Sequence, residues 1–176
     1  MVIQTLQSEN DIDQVIEKYS DMIYRLAVSN VKTKCNADDI YQDVFLRYIR
    51  YIKKGSVFDS EEHRKAWFIR VTLNCCKSFN TSSWLKKTVP IDENFNESYQ
   101  NDNDIKIDFH NALMKIPQKY RAVIHLFYFE QMSVEQISNI LDTKSSTVRT
   151  QLTRARVMLK DILKGVITTN GDFNRN

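Results

Sequence analysis

Glycine and proline are nearly missing from this sequence. Three glycines and two prolines make up about 3% of its 176 residues, against roughly 12% in an average protein. That shortage argues against a turn-rich β-sandwich or barrel and against collagen-like sequence. Gly55, Gly165 and Gly171 stand isolated, so neither a dinucleotide-binding glycine fingerprint nor a P-loop occurs. Cysteine is scarce too. Cys35, Cys75 and Cys76 form no CxxC pair and no even framework, and His63, His110 and His125 are scattered. No zinc site, other metal or cofactor is expected, and the thiols read as buried or incidental in a reducing compartment. The longest apolar run, Ala122–Phe129, is broken by His125 and is too short to span a bilayer. The start, MVIQTLQSENDID, lacks the basic residues and apolar run of a signal peptide, so a cytoplasmic protein without membrane insertion is expected.

What is present is helical period, and the fold class it predicts is all-α. Ile12, Val15, Ile16, Tyr19, Met22, Ile23 and Leu26 recur at helical spacing over about four turns. A second helix is expected from Asn36 as N-cap, with Asp38 and Asp39 in its first turn, Ile40, Val44 and Tyr48 inward, and an end near Gly55. A third carries Trp67, Phe68, Val71, Cys75 and Phe79. These helices can close a first domain, residues 1–87. Residues 88–106 lose the period and fill with Asn and acids, entered at Pro90. As a flexible chain of about 20 residues they would span roughly 25 Å, which reads as a tether.

Period returns in residues 107–165, the second domain, with 166–176 as a disordered tail. Phe109, Leu113 and Ile116 form one stripe, and Pro117 suits the first turn of the next helix. That helix is expected to bury Val123, Ile124, Phe127 and Tyr128. Ser133 and Gln136 then make a capping box for a short helix burying Val134, Ile137 and Ile140. After the turn Asp142–Ser145, a longer helix turns Val148, Leu152, Ala155, Leu159 and Ile162 inward. Those are helix-turn-helix dimensions.

Charge is distributed as basic, acidic, basic. Six basic residues and no acid lie between Arg64 and Lys87, and five with no acid between Thr143 and Lys160. The net charge of +3 alone would identify nothing. Two acid-free stretches separated by a repelling one fit two contacts with a polyanion. On the last helix, the side opposite the apolar stripe holds Ser146, Thr150, Thr153, Arg154 and Val157, flanked by Arg149 and Lys160. Arg, Thr and Ser on a helix of major-groove size suit base and phosphate contact, and Ser145 and Ser146 at its start could hold a phosphate. The first basic stretch interleaves cations with Trp67, Phe68, Phe79 and Trp84, which can stack unpaired bases, although the spacing by itself favours core packing of Trp67, Phe68 and Phe79. Asp38, Asp39 and Asp43 have no nucleophile at a fixed spacing, so a solvated or partner-facing acidic patch is expected there, with Gln42, Asp43 and Arg47 suited to a protein-binding face, and no enzyme activity.

These residues resemble the extracytoplasmic-function (ECF) sigma factors, the short form of the housekeeping-type bacterial sigma family. NADDIYQDVFLRYIRY is similar to region 2.2, D-x-x-Q-D/E-x-F, and the resemblance implies that Asp39, Gln42, Asp43, Phe45 and Arg47 meet the β′ clamp helices of core RNA polymerase. AWFIRVTLNCCKSF resembles regions 2.3–2.4, implying capture of melted −10 bases through Phe58, Ser60, His63, Arg64, Trp67, Arg70, Asn74 and Lys77. The run from Ile116 to Leu163 resembles region 4, with its T-V-K/R-S/T-x-L-x-R-A-R signature. It implies reading of −35 promoter DNA through Lys144, Ser145, Ser146, Thr147, Arg149, Thr150, Thr153 and Arg154, with docking on the β flap. An anti-sigma factor is a further implied partner. Ser146 stands where the family often has Gly, and Gln151 where it often has Arg. A stand-alone helix-turn-helix regulator is the rival reading.

Overall fold

The computed structural model describes residues 2–81 and 103–171, with side chains within 12–81 and 109–164. Trp84, Lys86, Lys87, most of the acidic segment and residues 172–176 of the expected tail lie outside the described residues, whereas residues 166–171, expected in that tail, are helical. The described chain is helical: α1 (Val2–Val28), α2 (Lys34–Lys53), α3 (Glu61–Thr81), α4 (Asn103–Lys115), α5 (Gln118–Ile124), a π-helical turn (His125–Phe129), α6 (Val134–Ile140) and α7 (Ser145–Gly171).

Helices α1–α3 form one bundle. The α1 stripe of Val15, Tyr19, Met22, Ile23 and Leu26 is buried as its spacing predicts. Phe68 sits fully enclosed at the centre, its ring against Tyr19, Phe45, Tyr48 and Trp67. The start of α2 differs from expectation. Thr33, in an extended conformation, caps the helix by accepting from the Asn36 N–H at 3.2 Å, so Asn36 is inside the first turn and is not the cap. A hydroxyl upstream satisfies the otherwise orphaned N–H, and Asp38 and Asp39 shift beyond the first turn. Past α2, Gly55 turns the chain at φ 78°, where a Cβ would be strained, and its N–H bonds Ile52 O at 2.9 Å.

Helices α4–α7 form the second unit. α4 begins at Asn103, inside the stretch read as tether. Ala112, Leu113, Ile116, Tyr120, Ile124, Ala155 and Leu159 make its own core. Pro117 lies one position before α5, at φ −58°. Tyr128, expected inside, is half exposed at 52%, as is Phe129 at 48%. The cause is the π turn, where Glu130 N–H bonds His125 O at 3.2 Å. Its extra residue rotates the side chains that follow away from the period that an α-helix would keep. Ser133 and Gln136 form the predicted capping box, with bonds of 3.1 and 2.8 Å.

The two units are docked. Val123, Leu126, Ile137 and Ile140 join Ile23, Leu26, Phe68 and Ile69 in one hydrophobic cluster. Ala122–Leu126 is buried on every side because Val123 and Leu126 belong to that cluster while Tyr120 and Ile124 belong to the α7 core. Among the described residues no helix is long and apolar enough to cross a membrane, and no group of three His, Cys, Asp or Glu could hold a metal.

His110 on α4 carries a pH prediction. Burial, then the positive charge of Arg121, pushes its pKa down from the ordinary 6.5 to about 4. The folded state therefore holds this imidazole neutral. Its contribution to stability is complete above about pH 6.5 and is lost as pH falls towards 4. Urea midpoints taken across that window should fall more steeply for the wild type than for His110→Gln. Parallel profiles would remove His110 from the cause.

Candidate nucleic-acid interface

The helical wheel drawn from the sequence places the α7 side chains correctly. Val148, Leu152, Ala155 and Leu159 are buried, while Ser146, Thr147, Arg149, Thr150, Thr153, Arg154, Val157 and Lys160 are exposed. Lys144 sits before the helix, its carbonyl receiving the N–H groups of Thr147 and Val148 at 2.9 and 3.1 Å. Ser145 departs from a groove-facing role: its hydroxyl donates to Ser138 Oγ at 3.1 Å and clasps α7 to α6.

The threonines are oriented by their own helix. Thr150 donates to Ser146 O at 2.9 Å, and Thr153 to Arg149 O at 3.0 Å. Each keeps oxygen lone pairs and a methyl for an outside partner, the two features needed for base donors and for a thymine methyl. Arg149 pairs with Glu135 of α6 at 2.8 Å, both side chains being about 60% exposed. An exposed pair of this kind contributes little, roughly 0–1 kcal/mol, so a phosphate can displace it. Beside this face lies a cleft of about 270 Å³, lined by Lys119, Tyr120, Ser146, Thr147, Thr150, Gln151 and Arg154. Lys119 and Tyr120 escaped the sequence reading because they precede Ser146 by more than 25 residues, and only the packing of α5 on α7 brings them there.

On α3, His63, Trp67, Arg70, Asn74 and Lys77 follow the i, i+4, i+7 progression and form one stripe. Ser60 opens it, accepting the His63 N–H through Oγ at 3.1 Å. At its start an aromatic group gathers: Phe58 stacks on Tyr51 with centroids 4.9 Å apart, Trp67 lies 5.3 Å from Tyr51, and Arg64 covers Phe58 at 5.6 Å. Phe68 is wholly core, whereas Trp67 and Phe79 are half-buried against that core. Asn74 and Lys77 are exposed. Arg70 is exposed but already engaged across the two units. Its guanidinium bonds Ile140 O at 2.8 Å and Asn139 O at 3.1 Å, at the end of α6.

The α2 group divides. Asp39, Gln42 and Arg47 are exposed, and Asp43 accepts from Arg47 Nε at 3.0 Å and from the Cys75 thiol at 3.3 Å. Burial, then the bond to Asp43, pushes the Cys75 thiol up to about 11, so it stays protonated and donates. Phe45 turns into the core at 6% exposure, so it supports this face from behind and does not lie on it. Leu46, half exposed at 50%, joins the outer face and was missed in the sequence reading. The available signal was its position off the buried stripe Ile40, Val44, Tyr48.

Comparison with known proteins gives a family match in each half of the chain. The sigma-70 region 2 family matches residues 15–85, and sigma-70 region 4 matches residues 106–159. RNA polymerase sigma factor SigV of Bacillus subtilis is 28% identical over 148 residues, covering 82% of this chain and 86% of SigV. ECF RNA polymerase sigma factor SigM of the same organism is 25% identical over 157 residues, covering 85% of this chain and 93% of SigM. ECF RNA polymerase sigma factor SigE of Mycolicibacterium smegmatis is 26% identical over 160 residues, and the match spans 86% of this chain but only 61% of that protein's length. In fold, the chain is similar to sigma factor RpoE from Bartonella quintana, solved with anti-sigma factor NepR, at TM-score 0.70 and 21% identity over 88% of this chain and 97% of RpoE. CnrH, solved with the cytosolic domain of CnrY, gives TM-score 0.66 and 19% identity over 89% of this chain and 90% of CnrH.

Proposed function

Because this chain belongs to the sigma-70 family, in its ECF form, we propose that its two exposed surfaces read the two states of promoter DNA. The protein is an alternative sigma factor, which directs RNA polymerase to promoters. In this reading α7 enters the major groove of −35 duplex DNA. Thr147, Thr150, Thr153 and Arg154 meet base edges, while Lys144, Ser146 and Arg149 meet phosphates. The α3 stripe, with Phe58, Ser60 and Arg64, takes melted −10 DNA, where stacking and hydrogen bonds offset the few kcal/mol of unstacking a base. The outer face of α2 docks on core polymerase, region 4 docks on the β flap, and an anti-sigma factor competes for the protein. It works in the cytoplasm, where the polymerase is, with no catalytic step or cofactor of its own.

The observation that carries this reading is the acid-free exposed face of α7 on a capped helix-turn-helix. Among the described residues Arg154 has no ion pair, so it is available to DNA. Arg154→Ala should weaken −35-dependent run-off transcription with core enzyme by about 1–3 kcal/mol, or roughly 5- to 150-fold. Unchanged promoter preference with an unchanged salt slope would take Arg154 off the DNA. Tight promoter binding by the protein without core enzyme would favour the stand-alone regulator.

A further inference from the structure

The π turn between α5 and α6 exposes residues that neither DNA surface uses. Its change of register brings Tyr128 and Phe129 out of the core to half exposure. Leaving aromatic rings in water is unfavourable, and π turns recur where a fold places a side chain for function. The Tyr128 hydroxyl oxygen accepts from Nε of Arg156, on α7, at 2.7 Å. The Arg156 guanidinium also lies over two rings, 5.5 Å from the Phe127 centroid and 5.6 Å from that of Tyr128. Those rings meet edge to face at 5.1 Å. A guanidinium held at one nitrogen and against two rings has few orientations left, although Arg156 is exposed.

This cation is oriented but not neutralised. Nε is one of five N–H donors on an arginine, so four remain. Glu135, the acid of α6, is taken by Arg149, and Glu130 is turned inward with its side chain 7% exposed. Among the described residues Arg156 has no ion pair. Tyr128, accepting from Nε, keeps its own hydroxyl hydrogen to donate. N–H and O–H donors thus stand side by side, fixed by packing, and the guanidinium fork matches the oxygens of a phosphate.

Arg156 also belongs to a row. Arg149, Thr153, Arg156 and Lys160 share one flank of α7 and are all exposed. At 1.5 Å per residue the row is about 16 Å long. With α7 lying in the groove, a row on its flank runs beside one of the two strands.

We infer that Tyr128 and Arg156 form a seat for a backbone phosphate of duplex DNA, outside the face that meets base edges. The terminal N–H groups of Arg156 donate to the phosphate oxygens, and the Tyr128 hydroxyl adds a further donor. The π turn serves to set Tyr128 against Arg156. The seat rests on the duplex reading of α7.

The test uses the full chain and a fluorescein-labelled random-sequence DNA duplex, titrated across a salt series. Arg156→Ala should weaken binding by roughly 3- to 10-fold at low salt and flatten the slope of log affinity against log salt by about 0.9, the loss of one phosphate. Arg156→Lys keeps the charge but not the fork, so the slope should persist while affinity falls in part. Tyr128→Phe keeps the ring and should lose roughly 2- to 10-fold with little change of slope. Unchanged affinity and slope in Arg156→Ala overturn the seat. Weaker binding with an unchanged slope makes Arg156 a packing residue and overturns it too. Should Arg156→Ala fail to fold, wild-type affinity in both Arg156→Lys and Tyr128→Phe is the overturning result. A loss seen with a single-stranded oligonucleotide but not with the duplex moves the pair to melted DNA and overturns the duplex assignment. Arg154→Ala, measured alongside, separates this seat from the reading beneath it. If Arg154→Ala weakens binding and Arg156→Ala does not, the seat falls and α7 stays on DNA. If neither changes binding, the duplex reading of α7 falls with it.

Discussion

Phe68→Ala lowers the stability of the amino-terminal bundle by about 3–5 kcal/mol, the range for removing a fully buried aromatic ring. Phe68 is 0% exposed, and its ring centroid lies 4.7 Å from Tyr19, 5.1 Å from Tyr48, 5.2 Å from Trp67 and 5.7 Å from Phe45. Four aromatic neighbours on three helices cannot all collapse into the space vacated. A small domain has about 5–15 kcal/mol in total, so the loss is a large fraction of what holds it. Trp67 reports it directly, because its indole packs on Phe68 at the start of the α3 stripe. Urea denaturation followed by Trp fluorescence should show the lower midpoint, and Phe68→Leu should lose less. A midpoint within about 1 kcal/mol of wild type would mean that the ring is not enclosed as described. On the proposed reading of α3 and α7, capture of melted DNA should fail before duplex binding does, since α7 rests partly on a second core of Ala155, Leu159, Tyr120 and Ile124.

How legible these sites were depended on whether their geometry is local. The α7 face followed from the helical period alone, because Val148, Leu152, Ala155 and Leu159 repeat without interruption and the polar side is what remains. The capping box at Ser133 was legible for the same reason, being a contact across three residues. Two local readings missed through competition between nearby groups. Thr33 outcompeted Asn36 for the α2 cap, and the π turn moved Tyr128 out of the core, a change of register that leaves no mark in apolar spacing. Arg70 was legible as a cation on the right stripe but not as a cap for α6, since Ile140 lies 70 residues away. Docking of the units was hidden too, because a run such as Ala122–Leu126 reads as one buried helix whichever neighbour covers each side.

Asp43→Lys should abolish co-purification with core RNA polymerase while leaving the protein folded. The expected loss divides into a small local part and a large one at the partner. Locally, Asp43 pairs with Arg47 four residues on, with side chains 42% and 53% exposed, and such helix-surface pairs contribute about 0.3–0.5 kcal/mol. Its second bond, from the neutral Cys75 thiol, orients the carboxylate more than it stabilises the bundle. Thermal melting should therefore move little. At the partner, Asp43 stands among Asp39, Gln42, Leu46 and Arg47 on the outer face of α2, where an exposed leucine flanked by polar groups suits a protein contact. Losing one partner of a hydrogen-bonded charge pair buried at an interface costs about 2–5 kcal/mol, and a reversed charge adds repulsion. That weakens assembly by at least roughly 30-fold, beyond what a pull-down retains. Asp43→Asn, which keeps the shape and an acceptor, should fall between Asp43→Lys and wild type. Cys75→Ala keeps the charge but frees the carboxylate to rotate, so its defect should be smaller still. Normal assembly of a folded Asp43→Lys would remove this face of α2 from the polymerase contact and leave the acids of α2 as solvated helix surface.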